Sequence, residues 1–245
     1  MTRTINSLAV IATAICLFET GAFAQRKSPT PAPTPKPVAT KPALDPMQQL
    51  LSAYERDVFA EINLARTKPA QYLRYLEDFK SNYHGKDIRF PDGSILVTNE
   101  GVDALEEAIK FVRLQQPLPP LQLRKGMILG ARDHANDIAK NDQTGHRGSD
   151  GSTPEDRISR YGTWGVAVGE DIVYQSRTPR VDVISLIIDD GVRTRGHRKN
   201  IFKPDFHVMG LAMTPRKEKP PMCVITFAGD FTDRGKSGAP AAQRY

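Results

Sequence analysis

Two runs near the end of the chain, FHVMGLAM (residues 206–213) and MCVITFAG (residues 222–229), decide the fold class. Both are apolar and of strand length, and Val224, Ile225 and Phe227 are good sheet formers. Upstream the period changes. Leu50, Leu51, Tyr54, Val58, Phe59 and Ile62 recur at three- and four-residue steps, which predicts one helix from Met47 to Thr67. Pro69 stops it and opens a second, Ala70 to Phe79. Arg89 to Leu96 reads as a small hairpin turning at Pro91-Asp92-Gly93. Asn99 is positioned to cap a third helix through Gln115, and Lys125 to Lys140 predicts a fourth. Thr153-Pro154 and Thr178-Pro179 start two more, ended by Gly162 and Gly191 respectively. Helices precede strands with no regular βαβ alternation, so the expected class is α+β.

The 245 residues are 39% hydrophobic and 25% charged, with two cysteines. Those proportions exclude a disulfide-stapled miniprotein, a collagen-like repeat and a mostly disordered chain. Met1 to Ala24 has the pattern of an export signal: Arg3, an apolar run from Leu8 to Phe18, then Ala22-Phe23-Ala24 before Gln25. That run is far shorter than the ~20 residues a transmembrane helix needs. The expected location is therefore secreted or periplasmic, with no membrane span. Cys16 lies inside the signal, so Cys223 is left alone, unable to form an internal disulfide and expected to be buried in a strand. Residues 25–46 carry prolines at 29, 31, 33, 35, 37, 42 and 46, which reads as an extended basic spacer. The expected organisation is a signal (1–24), a proline-rich linker (25–46), one domain (47–232) and a flexible tail (233–245). A net charge of +6 and a pI near 9.3 fit solubility and imply no specific nucleic-acid partner.

Polar residues beside glycines mark where a side chain is aimed by unusual backbone: Gly145-His146, Gly169-Glu170, Asp189-Asp190-Gly191 and Gly196-His197. Two imidazoles and two carboxylates suit a borderline metal such as zinc with an open position, or general acid and base without metal. By spacing alone, ordinary loops are the reading that comes first. His134 sits on the apolar stripe of its helix and is expected to be a core histidine bonded to a carbonyl. His84 reads as a loop residue and His207 as a strand start. The basic run Arg193, Arg195, Arg198 and Lys199 suits oxyanions, but its expected state is a solvated loop. No Gly-x-Ser-x-Gly elbow, Walker loop or dinucleotide fingerprint is present.

Read in order, Glu61-Ile-Asn-Leu-Ala-Arg66, Ala131-Arg-Asp-His134, Gly145-His146-Arg, Arg157-Ile-Ser-Arg-Tyr-Gly162, Gly169-Glu170-Asp-Ile, Gly196-His197-Arg-Lys-Asn-Ile and Thr226-Phe-Ala-Gly-Asp-Phe231 resemble the CAP superfamily of cysteine-rich secretory, venom-allergen, pathogenesis-related and bacterial SCP-like extracellular domains. The resemblance implies an α-β-α sandwich, with a small central antiparallel sheet between helical layers. It also implies a cleft holding His146, Glu170, Asp189 and His197, with Asp190 as the substitute for Asp189. In some family members the two histidines hold zinc, which implies His146 and His197 as metal ligands here. The sequence departs from the family at Asp171, where asparagine is usual, and at Leu186, where tryptophan is common. The implied function is a secreted CAP domain whose cleft binds a small apolar ligand, a lipid or a cell-envelope polymer, with or without a divalent metal. The alternatives are a zinc-dependent extracellular peptidase or esterase, with Glu170 or Asp189 as base, and an envelope-associated structural or host-interaction protein held by the proline-rich arm.

Overall fold

A computed structural model of the protein describes residues 44–174 and 176–235. The expected export signal, residues 25–43 of the linker and residues 236–245 of the tail lie outside the described residues. In order, the chain forms α1 (Ala53–Thr67), α2 (Pro69–Phe79), β1 (Tyr83–His84), β2 (Asp87–Arg89), β3 (Ile95–Val97), α3 (Val102–Arg113), β4 (Gln122–Leu123) and α4 (Lys125–Asn141). There follow α5 (Pro154–Ser159), β5 (Gly162–Val173), α6 (Pro179–Ile188), α7 (Gly196–Ile201), β6 (Val208–Arg216) and β7 (Lys219–Asp233). The class is α+β.

The main sheet has the order β4-β6-β7-β5, so β5 is an edge strand. Its long pairings are antiparallel; the short β4 runs parallel to β6, with Gln122 opposite Val208. Strand geometry then sorts the apolar residues by parity. Met222, Val224 and Ala228 of β7 face α4, where Met127, Ala131, Ala135 and Ile138 cover them. Cys223, Ile225 and Phe227 point the other way, into a core shared with Val58 and Ile62 of α1, Leu105 of α3 and Val183 and Ile187 of α6. Cys223 is buried and free. Helices thus cover both faces, and each fully buried aliphatic or aromatic side chain contributes roughly 1.5–3 kcal/mol. The α4 layer sits unusually close: a Cβ on Gly210 would lie 2.1 Å from the Met127 carbonyl carbon. Beside this sandwich, β1, β2 and β3 form a separate three-stranded antiparallel sheet.

Several expected boundaries move. The first helix begins at Ala53, not Met47, because Ser52 and Glu55 form a reciprocal capping box, with a 3-10 turn (Gln48–Leu50) ahead of it. Gly101, not Asn99, is the N-cap of α3. The helix expected to close at Gly191 ends at Ile188, with Asp189 in the left-handed region (φ 58°). His84 pairs in β1 rather than lying in a loop. The largest miss is β5. It lies between helices, so the expected order of helices first and strands later fails. Gly162, Gly165 and Gly169 dilute its sheet propensity, and a register shift between Gly165 and Val168 breaks its alternation.

Candidate functional site

The site lies where the edge strand β5 meets both helical layers. Adjacent residues of a strand project to opposite faces. Glu170 therefore points to the α4 side and Asp171 to the α7 side.

On the α4 side, the loop after α4 delivers His146, whose Nδ1 lies 3.0 Å from Glu170 Oε1. Glu170 is buried, and its Oε2 accepts 2.7 Å from Arg157 Nη2. Arg157 is only 2% exposed and also donates to the carbonyls of His146 (3.1 Å) and Ser152 (2.9 Å). The short helix α5 aims it, started by a Thr153–Asp156 capping box. A buried carboxylate needs such a cationic, hydrogen-bonded partner. His134 is fully buried, and its Nε2 lies 3.0 Å from the Gly145 carbonyl and 3.6 Å from Glu170 Oε1. Burial lowers its pKa more than the Glu170 charge raises it. It is a neutral core histidine donating to a carbonyl, as expected. The Gly145 N–H donates to the Tyr174 hydroxyl at 2.6 Å. The turn that carries His146 is thus held by Arg157, His134 and Tyr174.

On the other side, Asp189 is the C-cap of α6 and faces the N-terminal turn of α7. Its Oδ1 lies 2.7 Å from His197 Nδ1, and its Oδ2 accepts the His197 backbone N–H at 2.9 Å. Burial of His197 disfavours its charge, but the hydrogen bond to Asp189 and the Asp189 charge outweigh it, and the pKa is raised. Asp171 is fully buried and its pKa is pushed up to about 8 by burial. Where the family has asparagine, Asp171 Oδ1 accepts from Asn200 Nδ2 (2.7 Å), while Oδ2 has no partner among the described residues. Asp190 is turned away. Its carboxylate accepts the backbone N–H groups of Asn99 (2.7 Å) and Glu100 (2.8 Å), at the junction between β3 and α3.

His146, Glu170, Asp189 and His197 are therefore brought together as two carboxylate–imidazole pairs, their rings 6.5 Å apart between centroids and inclined at 47°. Each ring spends Nδ1 on its carboxylate, which leaves Nε2 for an incoming group. That is the arrangement by which carboxylates orient metal-ligating histidines. Two Nε2 atoms would be half of a tetrahedral zinc shell, and no cluster of three or more metal-ligating side chains occurs among the described residues. Zinc bound there would complete its sphere with water or a bound molecule. A cavity of about 300 Å³ adjoins His197 and Asp189, walled by Ile172, Leu186 and Ile188.

The basic run is solvated only in part: Arg193 and Lys199 are exposed, but Arg195 and Arg198 are not. Arg195 bridges Glu100 (2.7 Å) and Glu107 (2.6 Å). Arg198 is buried, donating to Glu107 (2.9 Å) and to the Ile187 and Ile188 carbonyls at the end of α6. These arginines fasten α7 to α3 and α6 and so fix His197. His207 lies just ahead of β6, its Nδ1 2.9 Å from the Gly229 carbonyl, remote in function from the pairs.

A model of the cysteine-rich secretory protein family, CAP, matches residues 106–226, a stretch that holds all four residues of the two pairs. The chain belongs to the CAP superfamily. A Bacillus subtilis relative, the uncharacterized protein YkwD, is 27% identical over 99 residues, which cover 40% of this chain and 37% of that protein. The chain thus spans well under half the length of that relative. Among solved structures, an extracellular SCP-domain protein from Bacillus anthracis is similar at 22% identity and a TM-score of 0.36, covering 45% of this chain and 34% of that one. An outer surface protein from Borrelia burgdorferi is similar at 18% identity and a TM-score of 0.40, covering 51% and 86%. No helix among the described residues of this CAP protein is long and apolar enough to cross a membrane.

The roles of Arg157 and His134 in holding His146 had no sequence signal beyond their places in the family motifs. A buried arginine reads as a surface charge until its partners are known.

Proposed function

We propose that this CAP protein is exported and that the cleft between His146 and His197 binds a ligand, either a small apolar molecule, a lipid or a cell-envelope component. The observation that carries this reading is the pair of carboxylate-oriented imidazoles, 6.5 Å apart, of which His197 borders a largely apolar cavity. Polar groups that converge next to an apolar hollow are the usual make-up of a small-molecule site. Among the described residues no serine or cysteine is paired with either imidazole: Cys223 is buried in the core, and each ring's Nδ1 is committed to a carboxylate. Equilibrium binding of lipid vesicles and wall fragments, compared between the wild type and a His146→Ala/His197→Ala double variant, tests the reading. Saturable binding lost in the double variant supports it; identical behaviour of the two proteins overturns it.

The second reading, metal-assisted hydrolysis, is favoured by one observation: both histidines have Nδ1 anchored on a buried carboxylate and Nε2 left open. Zinc on those two atoms would supply a bound water with pKa near ~7. In this chain Glu170 and Asp189 hold the rings in the ligating tautomer. Metal content of protein purified without a histidine tag, together with a peptide and ester screen of wild type and His197→Ala, separates the two readings.

A further inference from the structure

The partners of the two imidazoles fix their hydrogen-bond polarity. A carboxylate only accepts, so each ring carries a proton on Nδ1, toward Glu170 in one pair and Asp189 in the other. In the neutral rings both Nε2 atoms are then bare acceptors. Solvent reaches both side chains, which are 51% exposed at His146 and 23% at His197. Two acceptors beside one gap call for a group with two donors.

The width of the gap suits donors on a single atom. A donor about 2.9 Å from each Nε2, in line with the rings, lies about 4.1 Å from each centroid. With the centroids 6.5 Å apart, its two hydrogen bonds open at about 105°, close to the ~109° between two N–H bonds of a tetrahedral nitrogen. Two Nε2 atoms on one tetrahedral zinc would bring the centroids to about 5.3 Å, so zinc needs the rings to close by about 1 Å.

Water also offers two donors, and charge decides between it and an ammonium. Glu170 and Asp189 belong to the pairs, and Asp190 lines the cavity beside His197. Among the described residues Arg157 is the only guanidinium bonded to any of these three carboxylates. Arg147 and Arg193 are exposed, where solvent screens their charge. Burial opposes a charge on His197, yet its pKa is raised, so its surroundings favour a positive charge. Ile172, Leu186 and Ile188 wall the cavity beside it, a surface suited to the methylenes behind such a charge.

We propose that the two imidazoles together seat a primary ammonium on an aliphatic stem, of the kind a lysyl side chain of a peptide presents, with Nε2 of His146 and Nε2 of His197 each accepting one of its N–H bonds. The proposal rests on the ligand-binding reading of the cleft and narrows its cell-envelope component to an amine-bearing peptide.

The test is an NMR titration of the full chain with Nα-acetyl-lysine methylamide and with its Nε-acetyl and Nε-trimethyl forms. It is run at pH 9, above the ordinary imidazole pKa and below the ~10.4 of a lysine amine. The acetyl form lacks the charge, and the trimethyl form keeps the charge but has no N–H. Saturable binding of the lysine form is expected, with both modified forms weaker by about tenfold or more. The imidazole nitrogens should show Nδ1 protonated in the free protein, with the Nε2 signals moving on binding. His146→Ala, at the more exposed of the two rings, should weaken the lysine form by a similar factor and leave the three forms alike. No saturable binding of the lysine form, an equal affinity for the trimethyl form, or a proton on Nε2 rather than Nδ1 in the free protein overturns the proposal. Wall fragments separate it from the reading beneath it. If fragments with acetylated amines bind as well as untreated ones, and both lose binding in the His146→Ala/His197→Ala variant, the ammonium is refuted and the cleft reading stands.

Discussion

Asp189 holds His197 at two points, ring Nδ1 through Oδ1 at 2.7 Å and backbone N–H through Oδ2 at 2.9 Å. One carboxylate thus ends α6, starts α7 and sets the tautomer of the imidazole. The left-handed backbone at Asp189 (φ 58°) turns its side chain back toward α7, and asparagine tolerates that conformation almost as well. Asp189→Asn is therefore a clean test. It should lower the His197 pKa toward or below 6.5. The stability that the raised pKa supplies is fully present below about pH 6.5 and fades as the pH rises through the folded value. The variant should accordingly lose about 1–3 kcal/mol in acid and less in alkali. Histidine titration by NMR and urea melts at pH 5.5 and 9 provide the check.

Asp171 gives the opposite pH dependence. Its folded pKa, about 8, stands above the ordinary carboxyl value of 3.8, so folding favours its protonated form. Its contribution turns unfavourable as the pH rises from about 4 to about 8 and stays so above, by an amount on the order of several kcal/mol. Asp171→Asn keeps the shape and removes the titration. Its melting temperature should match the wild type near pH 4 and exceed it near pH 9. A difference that does not vary with pH would contradict the buried, protonated state.

Arg157 is the only cation bonded to the buried Glu170 carboxylate among the described residues. Arg157→Met should cost about 3–5 kcal/mol by leaving that charge unpaired. Adding Glu170→Gln should recover part of the loss. If Arg157 acted only through packing, the second substitution would add to the damage, and chemical denaturation of the three variants distinguishes the cases.

Gly210→Ala drives a methyl into the α4 backbone at Met127 and should destabilise by about 3 kcal/mol or more, a fall of roughly 6–12 °C in Tm. Gly165→Ala, where the nearest atom would be 3.7 Å away, serves as the control and should be close to neutral.

The periodic helices α2 and α4 and the apolar runs of β6 and β7 were legible in the sequence, because their patterns match their burial. The strand that carries Glu170 was not. Its pairing with β7 is supplied by tertiary structure, and local propensity around Gly165 and Gly169 argues against a strand. Family motifs indicated the four polar residues, but the choice between Asp189 and Asp190 turned on a single left-handed residue at the end of α6. Arg195 and Arg198 read as solvated because their partners, Glu100 and Glu107, are about ninety residues away along the chain. Patterns short in sequence cannot register that kind of contact.

The two imidazoles are carried by opposite layers and meet only around the rim of β5. Their spacing is therefore a caliper reading of the sandwich's thickness. Anything that thickens or thins the layers beneath, including a side chain grown at Gly169 against Phe206 and Asn200, would open or close the jaws without touching either histidine.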